Sequence, residues 1–147
     1  MKSIFVILIW LFPFQLFAQD SSELRTLYLK SIESEFFCDS LLTLCEQMKG
    51  EDDPIISGYH SAILIIKAKH RIDPIKKLSL FTKGKRKLDA LILTYPQLTE
   101  LRILRLTLQK SVPKFLGYDH NIDEDEQHIF AEHDRIRQYE NFFRVIK

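Results

Sequence analysis

The chain has 147 residues, of which 46% are hydrophobic and 28% charged. That is the size of one ordinary domain, with enough apolar surface to build a real core. Its 21 Lys and Arg oppose 20 Asp and Glu, and so nearly neutral a chain offers no electrostatic case for nucleic-acid recognition.

The chain opens with MKSIFVILIWLFPFQLFAQD: Lys2, an apolar run from Ile4 to Phe17 interrupted by Pro13, and the small residue Ala18. This pattern predicts a secretory signal peptide over residues 1–18, because the run is too short to span a bilayer comfortably. Cleavage after Ala18 leaves residues 19–147 as a single helical domain, periplasmic or released, in which 20 basic residues balance 20 acidic ones. An uncleaved membrane anchor is the alternative. No Cys follows the apolar run to carry a lipid, and charged residues interrupt every later apolar segment.

Beyond the leader the chain reads as successive amphipathic helices. Asp20 with Glu23 forms a capping-box pattern, and Leu24, Leu27, Tyr28 and Ile32 make the first stripe, ending near Ser34. Phe37, Leu41, Leu44, Cys45 and Met48 form the second, closed by Gly50. Cys38 and Cys45 are seven apart, about 10 Å along one helix at 1.5 Å per residue, beyond disulfide reach, so both are expected as buried thiols. Asp53 and Pro54 cap a third helix carrying Ile55, Tyr59, Ala62, Ile63 and Ile66. Asp73 and Pro74 repeat the signal for a longer fourth helix with Ile75, Leu78, Phe81, Leu88, Leu91 and Ile92, stopping before Pro96. Gly84 in its middle predicts close approach of a neighbouring helix, since mid-helix Gly otherwise costs about 1 kcal/mol. Leu98, Leu101, Leu104 and Leu108 mark a fifth helix before Pro113. Ile122, Ile129, Ile136 and Phe143, spaced every seven residues, predict a sixth running to the C-terminus. The predicted fold is therefore all-α, about six helices in antiparallel hairpins, as an irregular bundle or an α-solenoid.

The helix starts, near residues 21, 37, 53, 73, 97 and 121, give hairpins of tetratricopeptide size. The stretch KLDALILTYPQL resembles the close of such a repeat, with Pro96 at its terminal proline and Gly84 and Leu91 at its small or apolar positions. The segments SGYHSA, DPIKKLSLFTKGKRKLDALI, ELRILRLTLQKSVPKFLGY and NIDEDEQHI, with the leader ending LFAQ, together resemble a family of small exported proteins from Bacteroidetes. That resemblance implies an exported helical domain and brings no catalytic residues.

Three constellations carry possible chemistry. Asp119, Asn121, Asp123 and Asp125 match the first ligand positions of a calcium loop. Glu124 then stands where the turn glycine belongs, Glu126 at an apolar position and Phe130 in place of the bidentate Glu. The same residues read better as a connector turned by Gly117, with Phe115, Leu116 and Tyr118 packed beneath it. It would be followed by a helix capped by Asn121 and Glu124 with acids in its first turn. Glu124, His128 and Glu132 fall at i, i+4 and i+8, a spacing shared by a transition-metal site and by ordinary side-chain pairs on a solvated face.

The third is basic. Lys67, Lys69, Arg71, Lys76, Lys77, Lys83, Lys85, Arg86 and Lys87 are opposed within that segment only by Asp73. They form a solvated surface or a patch for acidic or phosphate-bearing ligands, lipid headgroups among them. The acids of 119–126 are their natural counterpart. Tyr59, His60, Lys67, Arg102 and Arg105 could line a groove. With no hydrolase, zincin or phosphate-loop motif and no implied cofactor, the expected role is macromolecular binding or scaffolding in the cell envelope, with a protein as the expected partner. A metal-dependent enzyme on the sixth helix and a peripheral binder of anionic lipid are the alternatives.

Overall fold

A computed structural model describes residues 14–48, 53–132 and 139–146. Among these there are seven α-helices and no strand: α1 Phe14–Ser31, α2 Glu35–Gln47, α3 Pro54–Lys69, α4 Pro74–Thr94, α5 Thr99–Ser111, α6 Ile122–Ala131 and α7 Glu140–Ile146. A single 3-10 turn, Lys114–Leu116, separates α5 from α6.

The two Asp-Pro signals do what their chemistry dictates. Asp53 accepts a hydrogen bond from the Ile55 amide at 2.7 Å, Asp73 does the same from Ile75 at 2.9 Å, and a proline occupies the first turn of each helix. Short turns fold α1 on α2 and α3 on α4, and the α3–α4 pair is the most extensive contact in the fold. Gly84 permits it: a Cβ there would stand 2.5 Å from the Ser61 carbonyl oxygen and 2.8 Å from Ile65 Cγ1.

Helix α5 is the axis of the molecule. Every residue from Glu100 to Gln109 is buried, by contacts with α3, α4, α6 and α7. One hydrophobic core runs through Leu24, Tyr28, Leu41, Tyr59, Ile63, Leu88, Leu101, Leu104 and Phe142. Tyr28 anchors its aromatic part, edge-on to Tyr59 at 5.8 Å and stacked on Phe142 at 5.5 Å. The main helix contacts join elements one or two apart in chain order, and side chains of α1 reach further, Arg25 to Glu100 and Tyr28 to Thr107 of α5, so the hairpins pack about one core.

Several expectations are corrected. α1 runs through Asp20, so that residue is inside a helix instead of capping one, and the helix ends at Ser31. The heptad spacing from Ile122 to Phe143 spans two helices, α6 and α7, with Ile136 outside the described residues, as is Gly50. Asn121 does not cap the α6 backbone; its amide donates to the Glu124 carboxylate at 3.2 Å. Gly117 does turn the chain, at φ +60°, over a buried Tyr118, but Phe115 is exposed.

Ile75 and Leu78 are 80% and 60% exposed, and the cause is helical phase. Nine residues, two and a half turns, separate Ile75 from the buried Gly84, so the two lie on opposite sides of α4. Leu93, nine residues the other way, is likewise exposed.

Candidate functional site

Two buried carboxylates and one exposed helix face are the features from which a function can be built. The first carboxylate is Glu100, at the start of α5. Its Oε1 accepts from Arg25 Nε at 2.9 Å and Tyr59 OH at 2.5 Å, and its Oε2 from Arg25 Nη2 at 3.0 Å and Tyr139 OH at 2.9 Å. The Arg25 guanidinium also lies over the Tyr139 ring, 4.6 Å from its centroid. Burial, reinforced by the Glu100 charge, pushes the Tyr59 and Tyr139 hydroxyls well above the ordinary tyrosine range, so both stay protonated donors.

The second is Asp125, fully buried in the first turns of α6. Arg105 holds it through Nε to Oδ2 and Nη2 to Oδ1, both 2.7 Å, and Arg102 Nη1 reaches Oδ1 at 2.9 Å. Burial works against the Arg105 charge, but the Asp125 hydrogen bonds and charge outweigh it and hold its pKa above the ordinary value. Arg102 Nη1 also donates to Glu124 at 2.8 Å, which with the Asn121 amide holds that carboxyl below its usual range. Asp89 joins the network, 3.5 Å from Arg105 and 3.1 Å from Lys85. A carboxylate has about four acceptor positions. Glu100 uses four and Asp125 three, all toward protein donors, so both act as structural ties between helices.

These networks settle where the acidic stretch goes. Its buried acid pairs with the arginines of α5, and Glu126 with Lys110 at 2.6 Å, instead of with the basic segment 67–87. Sequence reasoning placed Arg102 and Arg105 beside a groove; they are buried ion-pair donors. It missed Glu100 altogether, although an acid on a leucine-rich helix is itself a signal that a cation must be nearby.

The proposed metal residues do not converge. Glu124 turns to Arg102, His128 Nε2 lies 3.3 Å from the Thr99 hydroxyl, and Glu132 has interactions of its own. Among the described residues no group of three or more His, Cys, Asp or Glu side chains is placed to hold a metal. The thiols of Cys38 and Cys45 are buried and unpaired as disulfides, and burial pushes them up to about 11 and about 12.

The basic segment divides in two. Lys67 pairs with Asp39 and Lys69 donates to the Ile32 carbonyl at 3.3 Å, so these two tie α3 to α2 and to the α1–α2 turn, while Lys85 pairs with Asp89 within α4. Lys76 is exposed, 4.0 Å from Asp73. Lys77, Lys83 and Arg86 are exposed, and among the described residues no ion pair engages them. Lys87 is half-buried with contacts of its own, and Arg71 stands near enough to Asp39 to help depress its pKa, after Lys67.

Lys83 and Arg86 share the outer side of α4 with Ile75, Leu78 and Thr82 and line one shallow groove with them, Lys76 stands at its flank, and Lys77, two residues on from Ile75, lies toward the opposite side of the helix. Ile72, in the turn leading into α4, is 99% exposed, and every residue from Ile72 to Ser79 is on the surface. A second shallow groove, between α1 and α2, is lined by Leu27, Phe36 and Leu44 with Glu23 and Asp39 at its edge. Compared with known protein families, with curated proteins and with solved structures, the chain matches none.

Proposed function

We propose that this protein is a binding module of the cell envelope that engages an anionic macromolecular ligand through the outer face of α4. The observation that carries this reading is the coincidence of three exposed aliphatic side chains, Ile72, Ile75 and Leu78, with the exposed cations Lys76, Lys83 and Arg86. Neighbouring exposed apolar groups rimmed by polar residues mark an interaction surface, and the cations set the sign of what it meets. The buried carboxylates support a binding role over a catalytic one, since their acceptor positions are taken by arginine and tyrosine. The apolar leader pattern of residues 1–18 supports a location outside the cytoplasm.

The test is retention of the purified protein on an immobilised acidic polypeptide such as polyglutamate. Wild type should be retained and should elute as salt rises, while Lys76→Glu/Lys83→Glu/Arg86→Glu should elute at markedly lower salt. Arg144→Glu, at an exposed cation of α7, should elute close to wild type. Identical elution of wild type and the triple variant removes this reading.

A further inference from the structure

Resting on the reading above, we infer that the anionic ligand is a lipid bilayer surface, into which Ile72, Ile75 and Leu78 insert while the flanking cations meet headgroup phosphates. The first argument is shape. Ile72 projects from a turn with 99% of its surface exposed, and Ile75 and Leu78 follow on the first two turns of α4, so the apolar groups form a tip. A tip suits a soft surface that can close around it.

The second argument is composition. Protein–protein interface cores favour Tyr, Trp, Phe, Met and Arg and are depleted in Lys. The α4 face has the opposite make-up: aliphatic side chains beside Lys76 and Lys83, with the one aromatic of α4, Phe81, turned into the core. Aliphatic groups flanked by Lys and Arg are what an interfacial helix presents, and long lysine stems let the charge stay at the headgroups while the stem lies on apolar surface. Attraction to anionic lipid then adds with each cation brought near.

The third argument is the surrounding charge. Lys69 ties the α3–α4 turn to the α1–α2 turn through the Ile32 carbonyl, which brings Glu33 and Glu35 to the same end of the bundle. Those acids, and the acid-edged α1–α2 groove, would be repelled by an anionic surface, so contact is confined to the α4 side. Among the described residues no helix is long and apolar enough to cross a membrane, so the attachment made by this tip is peripheral.

Cosedimentation of the purified protein with vesicles of phosphatidylcholine, with and without phosphatidylglycerol, decides the matter. Wild type should partition onto the phosphatidylglycerol vesicles, and the added binding should fall steeply with salt. Ile72→Ser/Ile75→Ser/Leu78→Ser and, separately, Lys76→Glu/Lys83→Glu/Arg86→Glu should each weaken it by about tenfold or more. All six positions are exposed, so helical circular dichroism and the thermal midpoint should stay at wild-type values.

Equal partitioning onto the two vesicle types, or partitioning that neither variant changes, overturns the inference and assigns any vesicle binding to another segment, the apolar N-terminus included. Retention on polyglutamate that depends on the same cations, without vesicle binding, makes the ligand an acidic protein. That outcome overturns this inference and leaves the proposed function standing; loss of both overturns both.

Discussion

At the scale of single residues, the decisive feature is how completely Asp125 is enclosed. Its partners Arg102 and Arg105 are themselves buried, so truncating the carboxylate leaves two guanidinium charges with little water to replace it. Asp125→Ala is expected to cost about 3–5 kcal/mol by urea denaturation. Its neighbour Glu124 also bonds Arg102, but from an exposed position, and Glu124→Ala should cost about 0–1 kcal/mol. The contrast is the test: similar losses would mean that Asp125 is not the central tie.

Alkaline pH probes a different set of groups. Burial, aided by Asp39 and Glu46 respectively, raises the Cys38 and Cys45 thiols to about 11 and about 12, whereas an unfolded thiol titrates near about 8.5. The folded state therefore holds these protons more tightly. Their contribution is fully present below the unfolded value and is lost as pH rises through the folded values. Buried Tyr28, Tyr59, Tyr118 and Tyr139, all raised first by burial, act in the same direction above about 10. Stability measured against pH should fall progressively above about 9, and a thiol reagent should label neither cysteine until the protein unfolds.

At the scale of elements, α3 and α4 depend on Gly84. In Gly84→Ala the new methyl meets backbone, the Ser61 carbonyl, which cannot move without the whole helix, so a loss of about 1–3 kcal/mol is expected. Gly58→Ala meets the end of the Leu101 side chain, which can rotate, so its thermal midpoint should fall less. Both Asp-Pro helix starts were legible from sequence because each is dictated by atoms a few residues away, and Gly84 was legible because a mid-helix glycine is costly unless a neighbour approaches, although that neighbour is another helix, α3.

What sequence reading missed was set by neighbours distant in the chain. α5 showed one leucine stripe, yet Arg102, Arg105 and Glu100 are buried too, because α1 and α6 supply their counterions and α3 a hydroxyl donor. The seven-residue spacing of Ile122 to Phe143 carried no mark of the break between α6 and α7. The candidate surface was half legible. Its cations stood out by composition, but Ile75 and Leu78 were assigned to the core because they alternate plausibly with Phe81, and only the position of Gly84 fixes the phase of the helix.

At the scale of the whole molecule, Glu100 connects α1, α3, α5 and the entry to α7 through Arg25, Tyr59 and Tyr139. Tyr139→Phe removes one donor to a buried carboxylate and should cost about 1–3 kcal/mol in chemical denaturation. Deleting residues 139–147 also removes Phe142 from its stack on Tyr28, and the melting transition of that shortened chain should be broader and lower than that of the point variant.

The Glu100 cluster also sets an order of events during synthesis. Arg25 and Tyr139 are 114 residues apart, and Glu100 waits a further 39 residues for its last donor. A ribosome delivers Arg25 well before Tyr139, so the nascent chain carries Arg25 and Glu100 without their full set of contacts until residue 139 has emerged. Stalled nascent chains lacking Tyr139 should remain open to protease where the finished protein resists it. A chain held open that long is still in a form that can be threaded through a pore.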